Sequence, residues 1–191
     1  DRSFNINPGY THELFSFLKE NDNQVTTIQF EVVLDLFKES EIQYILDNIR
    51  KDYFRFEVGI QSINTKTTDA VNRYQNFDKI RTNHQRLKGH VTMHLDLIAG
   101  LPYEDLGSFK NTFNQTLRLY PDELQLGFLK ELKGTQISKT KDTHHYIFNQ
   151  TSPYEVLENA YITASDLNTI KTVEDILEKY YNTHYMDLTM N

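Results

Sequence analysis

Apolar and polar side chains alternate with two distinct periods along the first two thirds of the chain. Residues 25–33 alternate at every second position, which is typical of a strand and places Ile28 and Phe30 opposite Gln29 and Glu31. The same pattern predicts further strands at Tyr53–Ile60, His90–Ile98 and Glu123–Phe128. Apolar residues three and four positions apart predict helices at Tyr10–Glu20, Glu39–Arg50, Thr68–Tyr74, Asp78–Lys88 and Asp105–Leu119.

The order of these elements indicates a parallel sheet. Predicted strands recur about every 30 residues with helices between them, which is the signature of successive βαβ units. Residues 1–135 are therefore expected to form an α/β domain with a parallel sheet. Asp1–Asn5 would be the end of an earlier strand whose beginning is missing.

The pattern changes after Phe128. Leu129–Thr151 has no clear period, and residues 136–152 are interpreted as a connection. Residues 153–191 are expected to be a helical C-terminal extension, with a short helix over Pro153–Tyr161 that Ser152 caps. Ser165 is expected to cap a longer helix whose apolar stripe consists of Leu167, Ile170, Val173, Leu177 and Tyr180.

Polar residues fill one face of the predicted sheet. Arg55, Glu57 and Gln61 alternate with apolar residues in one strand, and His94 and Asp96 do so in another. The apolar rows belong under the covering helices, so the polar rows are expected to face a lumen or concave surface. Buried charge needs partners or a polar ligand. A purely structural alternative is an ion pair of Arg55 with Glu57 or with Glu31.

Composition limits the chemistry. The 191 residues carry a formal charge of −7, which argues against a nucleic-acid partner, and they include no cysteine, which excludes disulfides and thiolate-bound metals within the chain. No apolar run approaches the roughly 20 residues of a membrane span, and no signal peptide opens the sequence, so a cytoplasmic location without a membrane partner is expected. The first residue is Asp1, so we expect a chain cut from something longer.

Three motifs resemble the radical S-adenosylmethionine (SAM) superfamily, in the branch of oxygen-independent coproporphyrinogen oxidase. They are F-E-V-G-I-Q-S at 56–62, Asn72-Arg73, and D-L-I-A-G-L-P at 96–102. D-R-S-F-N at 1–5 resembles the end of that family's second core strand. The resemblance therefore implies that residues 1–135 are the later βα units of a partial TIM-type barrel. Residues 152–159 and 178–182 resemble the C-terminal extension of cobalamin-binding-domain enzymes known as anaerobic magnesium-protoporphyrin IX monomethyl ester oxidative cyclases.

The resemblance implies a function for the complete protein. In the family, SAM bound to a [4Fe–4S] cluster is reductively cleaved to a 5′-deoxyadenosyl radical that abstracts a hydrogen atom from a small-molecule substrate. An electron donor and, in the cyclase branch, cobalamin are further expectations. The cluster cysteines would lie upstream, so this chain would be a C-terminal fragment of the core, inactive by itself and without catalytic residues or metal ligands of its own.

The resemblance also implies a set of SAM-binding residues. An amide and a carboxylate suit ribose hydroxyls, and a guanidinium suits a carboxylate. The assignments are Gln61 and Asp96 for the ribose, Arg73 for the methionine carboxylate, Glu31 for the methionine ammonium group, and Gly127 with Phe128 beside the adenine.

Other interpretations stay open at this point. The chain could be a non-catalytic small-molecule-binding or regulatory α/β domain, or a metal-dependent barrel hydrolase that uses Asp96 with His90 and His94. Each candidate residue also has a structural alternative: Asp96 could cap a loop, Gln61 could bond its own turn, and Arg73 could be a solvated helix residue. Unpaired sheet edges raise the hypothesis of self-association.

Overall fold

The computed structural model describes residues 4–185. Its helices α1 to α7 are Pro8–Glu20, Glu39–Asn48, Thr65–Ala70, Phe77–Leu87, Leu106–Leu117, Gln136–Thr140 and Ala164–Ile176. Its strands β1 to β6 are Ile28–Glu31, Phe54–Gln61, Thr92–Ala99, Glu123–Phe128, Ile147–Phe148 and Val156–Glu158. Short 3₁₀ turns occur at Phe4–Ile6 and Leu34–Leu36, and a π turn at Leu177–Tyr181 follows α7.

Strands β1 to β4 form one sheet in the order β1-β2-β3-β4. β1 pairs with β2 in parallel, with Ile28 opposite Phe54 and Glu31 opposite Glu57. At least one helix lies between each of these four strands and the next along the chain. The predicted succession of βα units and the parallel sheet are therefore confirmed.

The chain divides into two compact units. Unit 1 contains residues 4–59, 75–95 and 119–123, and unit 2 contains residues 60–74, 96–118 and 124–185. The amino-terminal parts of β2, β3 and β4 consequently belong to unit 1, and their carboxyl ends belong to unit 2.

An aromatic core fills unit 1. Phe15 of α1 lies with its ring centroid 5.0 Å from that of Phe54 and 6.0 Å from that of Phe30. Phe37 stacks on Phe56 at 5.6 Å. Burying one such side chain contributes roughly 1.5–3 kcal/mol, so this cluster is a main source of the unit's stability.

A small antiparallel hairpin of β5 and β6 distinguishes unit 2. Val156 is 1% exposed and donates its backbone N–H to the carbonyl oxygen of Leu129 over 2.8 Å. The helix expected over Pro153–Tyr161 is therefore wrong. The segment instead pairs its backbone with β5 and with the residue after β4, and Tyr154 has a positive φ of 58° that interrupts any helix.

The last helix begins and packs slightly differently from the prediction. Thr163, and not Ser165, is the cap: its side chain accepts from the N–H of Asp166, whose carboxylate accepts from the N–H of Thr163 in return. The apolar stripe is confirmed at Leu167, Ile170 and Leu177, which are buried. Val173 and Tyr180 are instead 36% and 51% exposed.

The first residues also depart from expectation. Phe4 and Asn5, predicted to end a strand, belong to a 3₁₀ turn. The remainder of that predicted strand end, Asp1–Ser3, lies outside the described residues. Among residues 4–185, no helix combines the length and the apolar character required to cross a bilayer.

Candidate functional site

The two faces of the sheet differ as the alternation predicts. Burial alternates at every residue of β2 and of β3. In β3, for example, Leu95 and Leu97 are fully buried, whereas the alternating residues His94 and Asp96 are half-buried. A continuous polar row therefore follows each strand to its carboxyl end, which is where parallel sheets carry their sites.

In unit 1 this polar row forms an ion-pair cluster. Arg55 Nη2 donates to Glu123 Oε2 over 2.5 Å and lies 3.0 Å from His94 Nδ1. The structural alternative of an ion pair at Arg55 is therefore present, but its partner is Glu123 and not Glu57 or Glu31. The long guanidinium side chain reaches past His94 of β3 to β4, while Glu57 accepts a hydrogen bond from Gln29 over 2.6 Å.

Gln61 is the last residue of β2 and is held in a strained turn. Its φ is +67°, and the N–H of the next residue, Ser62, donates back to the carbonyl oxygen of Ile60 over 2.8 Å. A positive φ is uncommon for a residue with a side chain and persists where the surroundings enforce it. The Gln61 side chain is half-buried. The turn therefore fixes the direction of an amide at the edge of the sheet.

Arg73 lies outside the helix in which it was predicted. Helix α3 ends at Ala70, and Asn72 follows with a φ of +53°. The N–H of Arg73 donates to the carbonyl oxygen of Thr68 over 2.8 Å, and that of Asn72 donates to Asp69 over 3.1 Å. This pair of bonds is a Schellman motif, in which asparagine tolerates the left-handed conformation. Arg73 thus occupies a defined position just beyond a helix end.

Asp96, Gly127 and Phe128 lie near the carboxyl ends of their strands. A Cβ on Gly127 would be 3.5 Å from the carbonyl oxygen of Leu97, so the two strands approach closely there. Phe128 is 7% exposed, and the ammonium group of Lys171 lies 5.1 Å from its ring centroid. That cation occupies part of the surface predicted to lie beside an adenine.

The predicted residues separate into two groups. Gln61, Arg73, Asp96, Gly127 and Phe128 all belong to unit 2. The sixth residue, Glu31, ends β1 in unit 1, where its side chain is exposed.

Sequence reasoning missed a buried carboxyl group next to this site. Glu104 is 0% exposed, and its Oε1 accepts hydrogen bonds from Ser62 over 2.6 Å and from Thr112 over 3.0 Å. Burial raises the pKa of Glu104 to about 7. One signal was available: Thr112 falls on the buried stripe of α5, where a hydroxyl requires a polar partner.

The histidines do not support the metal-site hypothesis. His90 Nε2 lies 2.9 Å from the carbonyl oxygen of Ile49, and His94 contacts Arg55. Across residues 4–185, no three His, Asp or Glu side chains come together in an arrangement that could hold a metal ion. His144 is buried and contacts the hydroxyl of Tyr161 at 3.0 Å.

A separate cleft of about 420 Å³ opens in unit 2. Its lining includes Glu131, Ser138, Asn149 and Tyr154 and none of the six predicted residues. Glu131 is already paired with Lys141 at 3.1 Å. The carboxylate of Glu131 is therefore already in an ion pair and is not a free charge for a ligand in this cleft.

The donor set fits SAM and does not fit an iron–sulfur cluster. Gln61, Arg73 and Asp96 supply an amide, a guanidinium and a carboxylate, each on a half-buried side chain of the same unit. These groups match ribose hydroxyls and an amino-acid carboxylate. The 191 residues contain no cysteine, so the chain supplies no thiolate to a cluster.

Sequence comparison finds relatives among the oxygen-independent coproporphyrinogen III oxidases. The chain is 32% identical to the Salmonella typhimurium enzyme over 124 residues, which are 63% of this chain and 27% of the relative. It is 26% identical to the oxidase-like protein HemZ of Bacillus subtilis over 165 residues, covering 68% of this chain and 32% of that protein. The chain thus spans about a quarter to a third of the length of these curated relatives. Residues 142–191 match a family described as a protein of unknown function (DUF4080).

Solved structures agree on the fold. The Escherichia coli coproporphyrinogen III oxidase HemN, described as a radical SAM enzyme, superposes with a TM-score of 0.54 at 25% identity, covering 64% of this chain and 28% of that one. The radical SAM methyltransferase TsrM of Kitasatospora setae gives 0.62 at 13% identity, covering 83% and 33%, which shows the fold alone. The predicted partial TIM-type barrel is confirmed, and the solved structures that the chain resembles are those of radical SAM enzymes.

Proposed function

We propose that this chain forms the SAM-binding part of a radical SAM enzyme. The observation that carries the proposal is that Gln61, Arg73 and Asp96 belong to one compact unit, with Gln61 in a strained turn at the carboxyl end of β2 and Asp96 in the second half of β3. Similarity to the coproporphyrinogen III oxidases supports the same class of enzyme.

Each residue has a distinct role in this proposal. The carboxylate of Asp96 and the amide oxygen of Gln61 accept hydrogen bonds from the ribose hydroxyls. The amide nitrogen of Gln61 can also donate a hydrogen bond to them. The guanidinium of Arg73 binds the methionine carboxylate. The backbone at Gly127 and the ring of Phe128 border the adenine. The role of Glu31, which lies in unit 1, stays a prediction from the resemblance. SAM supplies the 5′-deoxyadenosyl group, and the residues of this chain bind and orient it.

The proposal requires a [4Fe–4S] cluster whose ligands come from sequence outside this chain. Cysteines in the order C-x-x-x-C-x-x-C upstream of Asp1 would hold a [4Fe–4S] cluster, and an electron donor would reduce it. On this proposal the 191-residue chain alone does not generate a radical, because it has no thiolate ligand. Reading the gene upstream of Asp1 tests this part, and a complete gene without the three cysteines would contradict it.

The narrower proposal is a tetrapyrrole substrate. It is supported by the names of the curated relatives, which act on coproporphyrinogen III, and by the resemblance of the C-terminal residues to the anaerobic oxidative cyclases. Cobalamin is the second cofactor of that cyclase class. Ultraviolet–visible spectroscopy of the complete protein, purified anaerobically, tests for cobalamin, and titration with a porphyrin ester tests for the substrate class.

Binding of SAM itself tests the central proposal without relying on turnover. We expect Gln61→Ala, Arg73→Met and Asp96→Asn each to weaken SAM binding by roughly tenfold or more, the value of a hydrogen bond to a charged or buried group. The measurement is calorimetry on the complete, cluster-loaded protein. Arg118→Met and Asp142→Asn are matched controls, since both residues are exposed in unit 2, and they should bind SAM as the wild type does. The proposal would be contradicted if all five variants bound SAM with the affinity of the wild type.

A further inference from the structure

The loop that follows Gln61 is bonded to a buried carboxyl group. Ser62 comes directly after Gln61, is 0% exposed, and donates its hydroxyl hydrogen to Glu104 Oε1 over 2.6 Å. Thr112 of α5 donates to the same oxygen over 3.0 Å. Glu104 therefore joins the loop after β2 to the helix after β3.

The backbone of this loop is held by the same group of residues. The N–H of Asn64 donates to Ser62 Oγ over 3.0 Å, and the N–H of Ile63 donates to Thr112 Oγ1 over 3.4 Å. The Asn64 side-chain amide donates to the carbonyl oxygen of Tyr103 over 3.0 Å, one residue before Glu104. Each residue from Ser62 to Asn64 is thus bonded to α5 or to the Glu104 segment.

The electrostatic setting favours a neutral carboxyl group at Glu104. The groups that face it from the β2 loop and from α5 are the hydroxyls of Ser62 and Thr112, and the charge that acts on it is the neighbouring Asp105. Burial raises the pKa of Glu104 to about 7; the hydrogen bonds from Ser62 and Thr112 oppose this shift, and the charge of Asp105 adds to it. Within the described residues, Oε2 makes no hydrogen bond.

We propose that Glu104 is a positioning residue for Gln61: by accepting hydrogen bonds from Ser62 and Thr112 it holds the strained turn that directs the Gln61 amide toward SAM. The inference rests on the proposed function, because it assigns a use to the direction of that amide. The turn at Gln61 has a φ of +67°, and such a conformation is kept only where neighbouring structure enforces it.

A double-mutant cycle tests whether Glu104 acts through Gln61. Glu104→Leu removes the acceptor at similar volume and should weaken SAM binding by roughly tenfold, whereas Glu104→Gln keeps an acceptor oxygen and should restore affinity to within about twofold. In a Gln61→Ala background, Glu104→Leu should weaken binding no further, because residues that act through one another are not additive. The measurement is SAM calorimetry on the complete, cluster-loaded protein.

Two threonines of α5 provide a matched control. Thr112 and Thr116 are both 0% exposed, but Thr112 bonds Glu104, whereas Thr116 Oγ1 makes no hydrogen bond within the described residues. Thr112→Val should therefore weaken SAM binding, and Thr116→Val should not. Both changes preserve side-chain volume, so the comparison stands even if Glu104→Leu fails to fold.

Hydrogen–deuterium exchange gives a readout that needs no SAM. The amides of Ile63 and Asn64 should lose protection in Thr112→Val and Glu104→Leu and keep it in Glu104→Gln. Unchanged protection in the first two variants would overturn the inference.

The affinity measurements separate the inference from the proposed function. Unchanged SAM affinity in Glu104→Leu, or an equal loss of affinity with and without the Gln61 side chain, would overturn the inference while the proposed function stood. If Gln61→Ala and Asp96→Asn both bound SAM normally, the proposed function would fail instead.

Discussion

The hydroxyl group of Tyr146 donates a hydrogen bond to the carbonyl oxygen of Gly100 over 2.9 Å. The side-chain amide of Asn159 donates to the same oxygen, also over 2.9 Å. Both donors lie in the segment that matches a family of unknown function, and the acceptor lies in the D-L-I-A-G-L-P motif. The C-terminal segment therefore holds the loop that follows β3, and it is a structural part of unit 2.

We expect Gly100→Ala to disturb this loop strongly. Gly100 has a φ of +90°, and a Cβ at this position would lie 2.6 Å from Val156 Cγ1. The variant should lose about 2–4 kcal/mol of unfolding free energy, from backbone strain together with the clash. Urea unfolding measures the change.

Gly134→Ala is the control for the backbone term. Gly134 has a similar φ of +86°, and no described atom lies within 4 Å of its Cβ position. The Gly134→Ala variant should lose only about 1 kcal/mol of unfolding free energy, which is the cost of the left-handed conformation. Adding Val156→Ala to Gly100→Ala should recover part of the loss. Equal losses in the two glycine variants would show that the Val156 contact is unimportant.

Glu104 should make unit 2 less stable as the pH rises. Its pKa is about 7 when folded and 4.5 in the reference state, so between these values the unfolded chain releases the proton first. The unfolding free energy should fall by about 3 kcal/mol from pH 4.5 to pH 7 and then level off. In Glu104→Gln this slope should be absent. Urea unfolding at about pH 5 and about pH 8 measures it, with the exposed Glu13→Gln as the control.

His84 should make unit 1 less stable as the pH falls. It is 0% exposed, and neither ring nitrogen has a hydrogen-bond partner in the described part of the chain. Burial, with Lys88 adding to it, lowers the pKa of His84 to about 4 from 6.5. The unfolded chain therefore takes up the proton first as the pH falls, and stability should drop by about 3 kcal/mol between pH 6.5 and pH 4.

His84→Leu should remove this sensitivity to acid. At neutral pH it should be neutral or stabilising by about 1–2 kcal/mol, because it eliminates buried polar atoms that lack partners. Acid unfolding followed by circular dichroism measures the effect, and the exposed His145→Leu should retain the wild-type acid slope. A His84→Leu protein as sensitive to acid as the wild type would contradict the assignment.

The Arg55–Glu123 pair should contribute more than an exposed pair. The side chains of Arg55 and Glu123 are 28% and 31% exposed, compared with 49% and 82% for Arg81 and Asp78. Arg55→Met should cost about 1–2 kcal/mol and Arg81→Met less than about 0.5 kcal/mol. Thermal unfolding at low and high salt measures both, and similar costs for the two variants would argue against a special role for the polar row.

Alternation within strands predicted the two faces of the sheet because a period of two is a local property of the chain. The buried and half-buried rows of β2 and β3 follow it residue by residue. The β5–β6 hairpin was not predictable in this way. Val156–Glu158 is only three residues long, and its partner is a two-residue strand, so neither segment contains a detectable period.

The same distinction applies to the site. Gln61 and Asp96 were found from motifs at strand ends, where chemistry concentrates in this class of fold. Glu104 was missed because its burial depends on Ser62, 42 positions away, and on Thr112. Glu104 also directly precedes Asp105, which caps α5, and acidic residues are common at the start of a helix.

Asn72 shows how an exposed residue can be constrained without contacting a ligand. Its side chain faces solvent, yet its φ of +53° sets the path of the chain into Arg73. In a scan of all substitutions at this position, glycine should be accepted and valine or isoleucine rejected, although no side-chain packing is lost. The tolerance profile of position 72 would thus record a backbone angle, and through it the placement of the neighbouring guanidinium.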